Sequence, residues 1–331
     1  MDISFLNTTI YFMISAYLLA NFGGPRNTQD CQAFLTSLLT DPDVTGGMLP
    51  SAIHKYLFTF IAKKRTKKVI PFYEAIGGRS PIYQDTESLA KILSSYLHAP
   101  VIPFHRYLED THTATIRKLE AFKNLRVLGV PLFPHFTYAV TGSIVRCIHK
   151  YLPEANISWI AHFGNHPAFL SCIIDHIRKF LQSHDIPEDN CCLLFSAHGL
   201  PVKYIRKGDP YSQQCEHSFL AISQQLHPIE THLCYQSKFG FGKWLSPATQ
   251  TICATLATSK KYVLIVPFGF TSEHIETLYE IEKEYLPILR QRGYVALRIP
   301  TIYNSVHWGE TLATIIQNSP HTAYPELIKS S

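Results

Sequence analysis

The sequence predicts an α/β fold of two similar lobes, each a four-stranded parallel sheet flanked by helices. Three observations carry this. Short apolar or β-branched runs alternate with longer amphipathic ones along most of the 331 residues, and such alternation argues parallel sheets covered by helices. Eight strand-like runs divide better into two four-stranded sheets than into one. The length itself fits two domains at roughly 100–200 residues each. The first lobe is expected over 14–156 with 304–325 packing back on it, and the second over 157–303; 1–13 and 326–331 are expected to be loose ends.

The longest apolar run, 10–20, is shorter than the ~20 residues that span a bilayer. The residues before it carry Asp2 and no Lys or Arg, and no small-residue cleavage site follows, which argues against a signal peptide. It reads as a buried strand over 16–20 that ends in the turn Asn21-Phe22-Gly23-Gly24-Pro25, with Met13 as an alternative translation start. Helical periodicity follows over 28–39 and 52–62. The second helix leads into Lys63-Lys64-Arg65-Thr66-Lys67-Lys68. Two readings of that run stand: a solvated helix end whose cations suit the macrodipole, or a clamp for carboxylate or phosphate groups. A helix over 85–96, a strand over 101–104, a helix over 113–122 and a strand over 126–132 come next. The weakest join lies near 153–158. Beyond it, strands are expected over 157–161, 192–197, 231–235, 262–267 and 295–300, with helices over 167–181, 213–226 and 273–290. A last helix, 306–317, returns to the first lobe, and 321–331 reads as a loose tail.

Composition narrows the function. Hydrophobic residues make up 46% and charged residues 17%, below the typical ~25%, which excludes a disordered chain. A net charge of +5 without a long basic stripe gives no support for nucleic-acid binding. The eight cysteines are scattered through apolar runs and form no CxxC pair. They read as reduced, buried thiols of a cytoplasmic protein, not as a disulfide framework or a cysteine-only zinc site. The glycine turns at 23–25, 76–81 and 141–143 match neither GxGxxG nor a Walker loop. There is no GxSxG elbow, so a serine-hydrolase reading lacks its nucleophile.

Two stretches can carry chemistry. In Leu193-Leu194-Phe195-Ser196-Ala197-His198-Gly199-Leu200-Pro201, a buried strand delivers His198 to its carboxyl end, where open α/β sheets bind ligands. A neutral imidazole accepts protons near pH 7 and ligates borderline metals. The alternative is a histidine satisfied by a loop carbonyl. In the second, Ser272 caps a helix carrying Glu273, Glu276, Glu280 and Glu284. At about 100° per residue, the last three and Glu273 share one narrow sector, while Ile275, Leu278, Ile281, Tyr285, Ile288 and Leu289 fill the opposite side. This is either a solvated acidic face or a carboxylate ladder that passes cations or protons inward. Both stretches follow predicted parallel strands, so both can open on one crevice. A histidine facing carboxylates suits a divalent metal or paired proton transfer.

With these residues in view, the chain resembles the ferrochelatases, bacterial-type haem synthases, over about 17–307. The stretch 193–201, continued by Arg206-Lys207-Gly208-Asp209-Pro210-Tyr211, resembles the family signature. Tyr235-Gln236-Ser237-Lys238-Phe239-Gly240 with Trp244-Leu245-Ser246-Pro247 resembles a second block, and 267–278 a third. Residues 18–25, 76–82 and Pro134-His135-Phe136-Thr137-Tyr138 are similar to further ones.

The resemblance implies two Rossmann-like lobes of the chelatase type around a cleft, and a lyase that inserts Fe²⁺ into protoporphyrin IX or coproporphyrin III to make haem. It implies His198 and Glu276 as catalytic and metal-ligating partners, without dividing proton acceptance and iron delivery between them. Glu280, Glu284, Glu273 and His274 would form a proton or metal path. Arg65, Tyr73, Ser80, Arg106, Tyr211 and Trp244 would handle the porphyrin. Iron is the substrate metal. No iron–sulfur cluster is expected, because the last cysteine is Cys253 and Tyr138 stands where animal-type relatives place another ligand. The expected partners are porphyrin and ferrous iron, with no nucleic acid, in a monomer or homodimer. Leu49, Ile53 and Phe58 are read either as core or as a lip that touches the ring or the inner face of the cell membrane. Departures include Phe22 in a family ring contact, Glu273 where many relatives have Asp, and Arg79 in place of a Gly. Alternatives are a chelatase for another tetrapyrrole or for cobalt, and a non-catalytic haem- or metal-binding bilobal protein.

Overall fold

The computed structural model describes residues 14–46, 49–239, 242–304 and 307–328. The expectations placed on 1–13, Met13 included, lie outside the described residues. One sheet contains β1 (Ala16–Asn21), β2 (Val101–His105), β3 (Val127–Pro131) and β4 (Ile157–Trp159), in the order β2-β1-β3-β4. The other contains β5 (Cys191–His198), β6 (Glu230–Gln236), β7 (Tyr262–Val266) and β8 (Val295–Arg298), in the order β6-β5-β7-β8. Every pairing is parallel. The two orders are the same when each sheet is counted from its own first strand, a topological repeat without a visible sequence repeat.

Each expected strand forms, but β4 changes lobe. It pairs with β3 from Val127↔Ile157 to Gly129↔Trp159, so the boundary expected at 156/157 moves past Trp159. Gly129 makes room for this: a Cβ there would lie 2.1 Å from the Trp159 ring. The tail is also held. Thr322 bridges to Trp159, Tyr324 stacks 3.7 Å from His149, and Leu327 is buried. Residues 321–328 are therefore not loose.

The α-helices of six residues or more are α1 (Cys31–Leu39), α2 (Ser51–Glu74), α3 (Ile82–Leu97), α4 (His112–Glu120), α5 (Ser143–Tyr151), α6 (Pro167–Ser183), α7 (Tyr211–Gln225), α8 (Thr249–Thr255), α9 (Leu286–Gln291) and α10 (Trp308–Asn318). α2 runs on to Glu74 instead of stopping at 62, because Lys and Arg are good helix formers. The basic run therefore lies in mid-helix, and the macrodipole reading of it falls away. α10 packs on both α3 and α6 and so bridges the lobes.

One apolar core crosses both lobes. It joins Leu19, Leu128 and Val130 to Leu193, Phe195 and Leu264, with Phe163 and Trp308 among its members. Smaller cores fill the outer face of each sheet. A fourth seats α1 and α2 against Phe22, Tyr107 and Ile275. In sheets of this order ligands gather outside the carboxyl ends, where successive connections leave in opposite directions. In the second sheet that point lies between β5 and β7.

Candidate active site

β5 is buried until it emerges at His198. Gly199 then turns sharply. Its N–H donates to the Gln236 carbonyl at 2.7 Å, and a Cβ would lie 2.7 Å from that oxygen and 3.3 Å from the Trp244 ring. Only glycine fits under the indole. His198 Nδ1 lies 2.5 Å from the Gly199 carbonyl. A carbonyl only accepts, so Nδ1 carries the hydrogen and Nε2 is left for chemistry, 3.5 Å from Glu276 Oε1. The Tyr211 hydroxyl donates to the His198 carbonyl at 3.0 Å.

The opposing wall follows β7. Phe268 N–H donates to the Ser196 carbonyl at 3.0 Å, and Thr271 Oγ1 donates to the Leu132 carbonyl at 2.8 Å. The second bond ties the carboxyl ends of the two sheets together. The single helix expected over 273–290 is instead a π-helix, Glu276–Tyr285, followed by α9. In an α-helix, residues four apart are rotated by about 40°; the wider i→i+5 turn reduces that offset. Glu276, Glu280 and Glu284 thus form a straighter row than expected. Glu276 and Glu280 are half-buried and Glu284 is exposed, so the row runs from the cleft to the surface.

Glu273 is not part of that row. Its Oε1 accepts from Arg298 at 2.8 Å and from the Thr301 N–H at 2.9 Å, and its Oε2 accepts from Thr277 Oγ1 at 2.5 Å. It precedes the helix, and these partners hold it in a buried ion pair.

Burial opposes charge on His198, but the Glu276 carboxylate, its hydrogen bond and the Glu280 charge outweigh this and push His198 up to about 9. Burial likewise opposes charge on Glu276, yet His198 and then His274, 3.4 Å away, hold it well below the usual carboxylate range. Burial and the Glu276 charge raise Glu280. Donors oppose that rise: Ser237 N–H at 3.0 Å, Gln236 Nε2 at 3.3 Å, and the Ser237 and Tyr285 hydroxyls. Gln236 also donates to the Glu276 carbonyl at 3.0 Å and accepts from Ser196 Oγ at 2.7 Å. Gln236, Ser237 and Tyr285 thus anchor the acidic row, a role the sequence reading missed. The first two lay in a quoted block without a role, and Tyr285 was counted as core.

The remaining expected residues divide. Tyr73 is buried, and burial, the Cys31 thiol and the Glu276 charge all raise its hydroxyl pKa. Phe72 stacks on Tyr279 at 4.4 Å. Arg65, half-buried on α2, lies 4.0 Å over the Phe239 ring. Trp244 covers Gly199, and its indole N–H is buried without a hydrogen-bond partner among the described residues. Tyr211 is buried and supports His198. Arg106 is occupied by Asp41 at 2.7 Å and Ser143 at 2.8 Å. Ser80 packs on Gly24 and donates its N–H to the Pro25 carbonyl. Phe22 packs against Tyr107 at 4.6 Å.

Comparison with known proteins shows the family. The sequence profile of the family described as Ferrochelatase matches residues 15–319. The chain is 69% identical to the ferrochelatase of Chlamydia abortus over 96% of its length and all of that protein. It is 59% identical to that of Chlamydia pneumoniae, covering 95% and 96% of the two chains. Two solved structures share the fold at low identity. SirB from Bacillus subtilis with Fe³⁺ matches with a TM-score of 0.53 and 13% identity, covering 92% of this chain and 95% of that one. CbiX, described as the terminal enzyme for biosynthesis of siroheme in denitrifying bacteria, matches at 0.50 and 14%, covering 92% and 98%. With a profile match over most of its length and full-length relatives at high identity, the chain belongs to the ferrochelatase family.

Proposed function

We infer that this chain inserts Fe²⁺ into a porphyrin to form haem. The observation that carries the chemistry is the His198–Glu276 pair at the inner end of a carboxylate row that reaches the surface. A porphyrin hides its four nitrogens in the ring plane, and two of them carry protons. Insertion must bend the ring, remove both protons and strip water from the ion. Glu284, Glu280 and Glu276 offer the hard oxygen ligands a hydrated Fe²⁺ exchanges for. A cation arriving at Glu276 displaces the imidazolium proton of His198. The freed Nε2 then accepts a pyrrole proton, and the row returns protons to solvent as iron forms its bonds to the ring nitrogens.

Trp244, packed over Gly199 beside His198, and Tyr73 and Arg65 on α2 suit a planar, carboxylate-bearing ring. Arg79 is exposed and free to meet a propionate. Arg106 and Ser80 serve the walls, not the ring. α2 exposes Ile53, Tyr56, Leu57 and Phe60 beside Lys55, Lys63 and Lys64, which suits peripheral contact with an anionic membrane. Phe58 packs inward instead. Among the described residues no helix is long and apolar enough to cross a membrane. The scattered cysteines support the absence of a family-type iron–sulfur cluster.

The test is anaerobic turnover with Fe²⁺ and, separately, protoporphyrin IX and coproporphyrin III. The wild type quenches the fluorescence of its substrate, and the purified protein shows no cluster absorption beforehand. His198→Ala and Glu276→Gln lower kcat by about 10²-fold or more. Binding of both porphyrins without metal insertion would leave a tetrapyrrole carrier and sink the enzyme reading.

A further inference from the structure

A second set of metal-ligating side chains lies at the other end of the second sheet. The β5–β6 register sets Cys192 beside Glu230 and Leu194 beside His232. Side chains alternate along a strand, so Glu230 and His232 share one face of β6. Cys192 shares that face, since it belongs to the core of the outer side while Cys191 belongs to the central core. One donor atom from each of Cys192, Glu230 and His232 lies within 4.8 Å of the other two. Glu230 Oε1 is 2.8 Å from His232 Nε2. Cys192 is buried, while the Glu230 and His232 side chains are 30% and 38% exposed. The cluster thus has a closed floor and an open mouth. Thr258 Oγ1 fixes the second Glu230 oxygen at 2.6 Å, an outer-shell bond of the kind that orients a ligating carboxylate.

We propose that Cys192, Glu230 and His232 form a site for a thiophilic divalent metal ion of the Zn²⁺ type, which ties β5 to β6. One thiolate, one carboxylate and one imidazole leave a fourth position for water and match the donors such an ion takes. Thiolate and carboxylate together neutralise the 2+ charge. On binding, the S–H bond breaks, the S–metal bond forms and the proton leaves through the open mouth to solvent. The site begins the strand that His198 ends. Cys192 and His198 are six steps apart along β5, about 20 Å, so the ion is not the one being inserted.

Co²⁺ titration of the reduced, metal-free full-length protein tests this, because a cobalt–thiolate bond absorbs in the near ultraviolet and the chelation site holds no cysteine. The wild type and His198→Ala develop the band, and Zn²⁺ bleaches it. Cys192→Ser abolishes it, and His232→Gln, at a half-exposed position that cannot be excused by misfolding, weakens Co²⁺ affinity by about 10-fold or more. No band in the wild type, loss of the band in His198→Ala, or full strength in either Cys192→Ser or His232→Gln overturns the proposal.

Discussion

At His198 the balance of burial against two carboxylates has a kinetic consequence. With its pKa pushed up to about 9, the imidazole is protonated in the free protein at neutral pH, and only its neutral form accepts a pyrrole proton. The parameter kcat/KM reports groups of the free enzyme. It should rise with pH along a limb whose midpoint lies near 9. Glu276→Gln removes the main charge that raises His198, so the residual activity of that variant should show the limb moved down toward 6.5, the ordinary value. An unmoved midpoint would mean that another group takes the proton. The sequence singles out His198 because it ends an apolar strand, and Glu276 because it lies on the helix that follows the next strand but one, each inside a recognisable block. Glu273 was misread for a physical reason. Its spacing suits the acidic sector, but Arg298 and Thr301, more than twenty positions away, claim its oxygens. Likewise, nothing near Glu280 in sequence announces Gln236 and Ser237 as its donors.

Among the elements, the strands read most clearly. Each is a short apolar run, because parallel strands are buried on both faces. The π-helix did not, since nothing in the apolar pattern marks the wider i→i+5 turn, which aligns the buried Thr277, Ile281 and Tyr285 as much as it aligns the glutamates. α2 was read short for the opposite reason. Its apolar pattern weakens after Ala62, but residues 63–70 still favour helix and still bury Thr66 and Val69. That length lets one helix do two things. Its inner side buries Ala62, Thr66, Val69 and Tyr73, and its outer side presents Ile53, Tyr56 and Phe60, the last 63% exposed, among lysines. Apolar anchors ringed by cations bind anionic bilayers through both burial and charge. Co-sedimentation should show the protein on phosphatidylserine vesicles, less so in high salt, and much less for the double variant Ile53→Ser, Phe60→Ser. Equal sedimentation of that variant would remove α2 as the membrane face.

For the whole molecule, the question is whether the cleft walls are stiff enough to strain a ring. Porphyrin distortion draws on binding energy only if the lobes resist being pushed apart. The shared core already joins them, and a row of buried polar bonds joins them again behind the site. Asp209 Oδ2 accepts from Thr137 Oγ1 at 2.7 Å and the Tyr138 N–H at 3.0 Å, while Oδ1 accepts from the Tyr211 N–H at 3.1 Å. The Phe136 N–H donates to Gln214 at 2.7 Å, and His135 and Ser218 are hydrogen-bonded at 3.0 Å. The loop after β3 in one lobe is thus fastened to the start of α7 in the other, next to the tyrosine that supports His198. None of this was visible as pattern, because a topological repeat needs only matching strand order and a seam needs only complementary partners. Its expected consequence is cooperative unfolding. Two lobes held this way should melt in one calorimetric transition despite the two sheets. Asp209→Ala leaves three donors without their acceptor and should cost about 3 kcal/mol or more, lowering that single transition without splitting it. Two separate transitions in the wild type would mean that the lobes are independent, and that the strain on the ring must come from the side chains around His198 alone.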